Sequence, residues 1–139
     1  MKTTLLKSVF VLGLTLGLMS CNDRNENGVI QEISPVAIDS VKIVNDTMTV
    51  FDVQSITTYS KFHKGCEGFY GYDYDKDQMN RYVTAYKFKT NETCGDQVTG
   101  WAQFNFRPES TGTYVFKFLK GQDASGNDIW LEKNIVVKN

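Results

Sequence analysis

From Ile33 onward, apolar and polar residues alternate with a period of two between short turn signals, which is the mark of half-buried β-strands. The last third is clearest. In Gly100 to Arg107, Ala102, Phe104 and Phe106 fall on one side, and Gln103, Asn105 and Arg107 on the other. Pro108, which cannot donate to a ladder, ends that strand. Thr113 to Leu119 places Tyr114, Phe116 and Phe118 inward. A turn around Ser125-Gly126-Asn127 leads to Ile129–Val137, with Ile129, Leu131, Ile135 and Val137 on the buried side and a bulge expected at Asn134. Earlier in the chain, Val36 to Val44 predicts a strand broken near Asp39-Ser40. After a turn at Asn45-Asp46, Thr47 to Ser60 predicts another, with Thr49, Phe51, Val53 and Ser55 on one face. His63-Lys64-Gly65 is a polar loop. Phe69–Asp75 and Asn80–Lys89 predict a hairpin about Asp75-Lys76-Asp77-Gln78, and Thr90 to Asp96 a second polar loop. About seven short strands of this kind predict an all-β, antiparallel β-sandwich. Phe104, Phe106, Tyr114, Phe116 and Phe118 would fill its middle layer, each contributing on the order of 2–3 kcal/mol by burial.

The first twenty residues break the pattern. Lys2 and Lys7 precede an apolar run of twelve residues, Ser8 to Met19. A membrane span needs about 20 residues, so residues 1–20 predict a cleaved export signal. Leu18-Met19-Ser20-Cys21 resembles the bacterial lipobox, and the resemblance implies cleavage before Cys21 and acylation of that residue. Two or more acyl chains hold a protein on a membrane where one does not. Residues 21–32 then form a polar tether, rich in Asn, Asp and Glu over Asn22–Gly28, and residues 33–139 the folded domain. The tether resembles the surface-export segments of lipoproteins in Bacteroidota.

Composition removes some classes of function. Fifteen Lys and Arg against sixteen Asp and Glu give a net charge of −1. That leaves no basic excess to hold nucleic acid. A single histidine and three cysteines supply few metal ligands. Asp73-x-Asp75-x-Asp77 starts like a calcium loop, but Gln78 and Thr84 stand where an EF-hand needs Gly and Glu. No nucleophile-and-base motif or phosphate loop is recognisable, so no catalysis and no cofactor are expected. With Cys21 lipidated, Cys66 and Cys94 form an even pair in an exported chain, which predicts one disulfide. The alternative, a reactive thiol beside His63, lacks a CxxC or oxyanion motif.

Phe106-x-Pro108, Gly112-x-Tyr114-x-Phe116-x-Phe118 and Ile135-Val136-Val137 resemble the closing strands of bacterial immunoglobulin-like domains. With Gly65-Cys66 and Cys94, the chain from Pro35 to Lys138 is similar to small immunoglobulin-like lipoproteins of Bacteroidota. The resemblance implies an immunoglobulin-like sandwich in the cell envelope, on the outer membrane and facing the periplasm or the surface. It implies no particular ligand, because fold does not fix function. Trp101 and Trp130 lie outside the Cys66–Cys94 interval, unlike the antibody pattern.

Tyr70, Tyr72 and Tyr74 alternate along one strand, and Tyr82 and Tyr86 along the next. If the hairpin register puts all five on one exposed face, they form an aromatic platform for a glycan or an envelope protein, with Trp101 a further exposed ring. If they face inward, they are core. Asp39-Ser40-Val41 and Asp46-Thr47-Met48 resemble the sequence at which Bacteroidota O-glycosylate exported proteins, which makes Ser40 and Thr47 candidates. Two functions are expected from these features: a membrane-anchored binding or adhesion module, or a non-catalytic structural accessory of an envelope complex.

Overall fold

A computed structural model describes residues 28–139. The expected export signal, the expected lipidation site Cys21 and most of the expected tether lie outside the described residues. The described chain is an all-β sandwich of nine strands in two packed sheets.

The expected break at Asp39-Ser40 is real, and it moves the chain between sheets. β1 (Ile30–Val36) pairs with β6 (Asn80–Thr90) in the larger sheet, while β2 (Ser40–Ile43) pairs with β4 (Gln54–His63) in the smaller. Ile38 donates its N–H to Leu119 of the first sheet, and the next residue, Asp39, donates to Tyr59 of the second. β1 starts at Ile30, three residues before the expected start of the domain at residue 33. The expected strand Thr47–Ser60 also divides. β3 (Thr47–Thr49) pairs in parallel with β9 (Asp128–Lys138), and β4 joins the other sheet. Phe51, at φ 71°, makes the bend. The inward row of β4 is consequently Gln54, Ile56, Thr58, Ser60 and Phe62; Thr49, Phe51 and Val53 are exposed.

The larger sheet contains β5 (Glu67–Asp77), β6, β8 (Gly112–Gln122), β9 and β3, with β1 beside β6; the smaller runs β2, β4, β7 (Gln97–Phe106). Most pairings are antiparallel, but β6 with β8 and β3 with β9 are parallel, which a purely antiparallel seven-strand sandwich would not contain. The inward alternation of β7 and β8 is as expected. Phe116 and Phe118 are fully buried, and Phe106 meets Tyr114 and Phe116 edge to face at 5.1 and 4.9 Å. Phe104 on β7 reaches Tyr72 on β5 and Phe116 on β8, so aromatic rings join the two sheets. In β9, Leu131, Ile135 and Val137 pack inward, but Ile129 is exposed. The bulge lies across from it at Lys120 in β8, between Leu119 and Gly121, rather than at Asn134.

Polar residues in the core are all partnered: the described residues contain no buried side-chain N or O atom without a hydrogen bond. The Gln54 amide satisfies both N–H and C=O of Asn45, at 3.1 and 2.8 Å. The Thr58 and Tyr72 hydroxyls bond at 2.6 Å and link the sheets.

One end of the sandwich is stapled. Cys66, after β4, and Cys94, in the loop between β6 and β7, form a disulfide with Cα atoms 4.9 Å apart. Both loops are crossings from one sheet to the other. They also bond directly, through Lys64 N–H to Asp96 O at 2.9 Å and Gly95 N–H to Lys64 O at 2.8 Å. The described chain enters at this same end, where Asn91 N–H donates to Val29 O. The Glu67 carboxylate, with a side chain only 6% exposed, takes Lys87 Nζ at 2.6 Å and the His63 N–H at 2.9 Å. Burial pushes its pKa up, but the hydrogen bonds and the Lys87 charge outweigh this and hold it below the ordinary carboxylate range.

Candidate functional site

The five tyrosines do not share a face. The β5–β6 turn is Gln78-Met79, with Asp77 opposite Asn80, centred two residues later than the turn expected at Asp75-Lys76-Asp77-Gln78. Tyr72 therefore faces Ala85 and Tyr74 faces Val83, both on the core side. A bulge between Phe69 and Gly71 reverses the parity of the strand before it, so Phe69 packs inward against Tyr72 at 4.7 Å and Tyr70 is thrust out. Tyr82 and Tyr86 point to the outer face. There Tyr82 meets Trp130 edge to face at 5.5 Å, with Lys117 Nζ 5.4 Å from its centroid. Trp101 is 66% exposed on the outer face of the smaller sheet, opposite Tyr59. Ser40 and Thr47 are both exposed. Asp73 and Asp75 face outward along β5.

The structure instead brings Tyr72 and Tyr74 to a cleft of about 510 Å³ at the end of the sandwich opposite the disulfide. The eleven residues of β5 run from one end to the other, roughly 30–35 Å at strand rise. The cleft opens where the two sheets part, between the β5–β6 turn and the β7–β8 connection. Its apolar floor is Phe104, Phe106 and Met79. Its walls are Tyr74 and Tyr114, and neutral polar groups come from Gln78 and from Ser110, whose hydroxyl lies 3.1 Å from that of Tyr114, while the Asn105 amide oxygen accepts from the Ser55 hydroxyl at 2.8 Å. The volume falls in the roughly 300–1,000 Å³ range of small-molecule sites, and half of the lining residues are polar or charged.

Three cations stand in this cleft. Arg81, just past the turn, donates Nη1 to Gln78 O at 2.7 Å and Asn80 O at 2.8 Å, and lies 4.8 Å over the Tyr114 ring. Arg107, just before Pro108, donates Nε to Phe51 O at 3.3 Å and stacks on that ring at 5.0 Å. Lys76 Nζ sits 6.0 Å from the Tyr74 centroid. Glu109 is the one acid in the lining. Burial pushes the Tyr74 hydroxyl pKa up, with Arg81 acting against it, and burial likewise raises that of Tyr72 against its bond to Thr58. Both hydroxyls thus keep their protons at physiological pH.

Reading along the chain misses Arg81, Arg107, Lys76 and Asn105, because the cleft is assembled from four strand ends distant in sequence. One signal was present: lysine supplies twelve of the fifteen basic residues, so each arginine stands out. The fold and cleft together define a β-sandwich with a ligand-sized opening at one end. No family model matches the chain, and no curated protein or solved structure matches it significantly.

Proposed function

We propose that this chain is an exported, lipid-anchored binding module of the cell envelope, without catalytic activity, whose ligand is a glycan or an envelope protein. The observation that carries the proposal is the cleft's place and chemistry. It lies at the end of the sandwich farthest from where the N-terminal segment enters. A lipid on Cys21 would hold the stapled end near the membrane and direct the cleft outward. Its rings and fixed guanidinium groups are prearranged for a ligand, which lowers the entropy cost of binding.

The anchor is tested by palmitate labelling in a native host: the wild type takes up label, and Cys21→Ala does not. A labelled Cys21→Ala protein sinks the anchor. Binding is tested on a glycan array and by pull-down from outer membranes, with Tyr74→Ala and Arg107→Gln as cleft variants. A ligand retained by the wild type and lost by both variants supports the module.

A second reading is a structural accessory of an envelope complex. The outer face of the larger sheet favours it, since Tyr82, Tyr86, Phe88 and Trp130 lie there, and aromatic residues of this kind are enriched at protein interfaces. A partner complex lost on Trp130→Ala and kept by the cleft variants would establish that reading.

A further inference from the structure

Arg81 and Arg107 are the only arginines among the described residues, both line the distal cleft, and neither forms an ion pair with a described carboxylate. Each is nonetheless fixed. Arg81 is pinned by two carbonyls of its turn and by the Tyr114 ring; Arg107 by the Phe51 carbonyl and ring. The Arg107 terminal amino groups have no protein acceptor among the described residues. With Lys76, the lining holds three cations against Glu109 alone, on a chain whose net charge is −1. Guanidinium groups held in place by rings match oxyanions through paired N–H donors.

We infer that the cleft takes the acidic end of a glycan: a sugar ring bearing a carboxylate or sulfate, its anion held by Arg81 and Arg107. This rests on the reading of the cleft as a binding site. A sugar rather than a bare anion is indicated by the rest of the lining. Tyr74 offers a ring against which the C–H face of a sugar can lie, Phe104 and Met79 close the floor, and Gln78 brings an amide to the lining. An isolated anion would use neither the apolar floor nor the volume. An extended acidic peptide would be expected to add along a sheet edge, whereas this opening lies at the strand ends.

Calorimetric titration of the full chain in detergent tests the inference, with trigalacturonate, neutral galactotriose, sulfated galactotriose and hexaglutamate as probes. The acidic sugars should bind at least about tenfold more tightly than the neutral one, the size expected for one charge-assisted hydrogen bond. Which acidic sugar binds better decides between carboxylate and sulfate. Arg107→Gln should lose about tenfold in affinity, and its only internal contacts are to exposed Phe51. Arg81→Gln also loosens the turn, so Arg81→Lys, which keeps the charge and loses the paired donors, accompanies it and should weaken binding as well. Glu109→Gln should tighten binding by removing the one opposing charge. Equal affinity for galactotriose, or wild-type affinity in Arg107→Gln, overturns the acidic-glycan inference while leaving the cleft a binding site. Hexaglutamate binding through both arginines, with no sugar bound, overturns it in favour of a protein ligand. No probe bound, with a membrane partner unaffected by cleft variants, removes the inference and the binding-site reading together.

Discussion

Replacing both Cys66 and Cys94 by alanine should leave the fold intact and lower its stability by about 3–4 kcal/mol. The two cysteines are 28 residues apart. In the chain-entropy account, freeing a loop of that span returns about 3.6 kcal/mol of freedom to the unfolded chain at 25 °C. The native loops should stay in place without the bridge. Lys64, Asp96 and Gly95 hold them together by backbone bonds, and Thr90 N–H donates to Cys66 O at 2.8 Å. The cost then falls on the unfolded state. For a folded unit of about 110 residues, 1 kcal/mol moves the thermal midpoint by about 4 °C, so the double variant should melt about 15 °C lower. Its urea m-value should rise, because an unlinked unfolded chain exposes more surface. Circular dichroism melts and urea titrations of wild type, double variant and reduced wild type measure both quantities. A midpoint shift under about 5 °C with an unchanged m-value would refute the reasoning, and would show that the unfolded chain already keeps these loops together.

Four further outcomes rest on contacts already described. Glu67 is ionised more readily folded than unfolded, so its contribution is present above the unfolded carboxylate pKa of about 4.3 and disappears as pH falls through its lower folded value. Glu67→Gln should flatten the acid limb of the melting-temperature profile and cost about 1–3 kcal/mol at neutral pH; an unchanged acid limb would refute this. Tyr72→Phe leaves the Thr58 hydroxyl, in a residue 2% exposed, without its partner, and should cost about 1–2 kcal/mol by urea titration. In the wild type, the raised Tyr72 and Tyr74 pKa values should delay part of the tyrosinate absorbance in alkaline titration, and the stability they contribute is present below about pH 10 and lost as pH climbs past it. Phe116→Ala should cost about 3–5 kcal/mol, a large part of the roughly 5–15 kcal/mol of a typical domain; a loss below about 2 kcal/mol would mean that Phe104 and Phe118 refill the space.

The core strands were legible because their signals are local. In β8, Tyr114, Phe116 and Phe118 alternate with Val115 and Lys117 between two glycine-containing turns, and one face is plainly apolar. The same holds for Phe104 and Phe106. The sheet crossings were not legible, because what decides them is distant pairing. Val50-Phe51-Asp52-Val53 looks like strand, yet Phe51 adopts a left-handed backbone to bring β4 alongside β7. Register failed for a similar reason. The sequence Asp75-Lys76-Asp77 has the composition of a turn, but the strand continues through it and turns at Gln78-Met79. The Tyr70 bulge inverts the parity of the residues before it, and nothing in Phe69-Tyr70-Gly71 marks it beyond the glycine. The cleft inherits both difficulties, since it exists only once Arg81, Arg107 and Tyr74 are brought together from different strands.

The position of β1 has a mechanical consequence. The described chain enters at the stapled end and runs along β6, antiparallel, from Ile30 opposite Thr90 to Val36 opposite Ala85. A pull between the N-terminal segment and a ligand in the distal cleft acts along that strand axis. The bonds between β1 and β6 are then loaded together in shear, instead of opening one after another as they would if peeled from an end. The Ile38 bond to Leu119 adds resistance at the far end of the strand. The bridge between Cys66 and Cys94 lies beside the point of loading, so the crossings that support β6 there cannot be drawn apart. A domain built this way holds under flow best when it is anchored by its N-terminal side and gripped at its far tip.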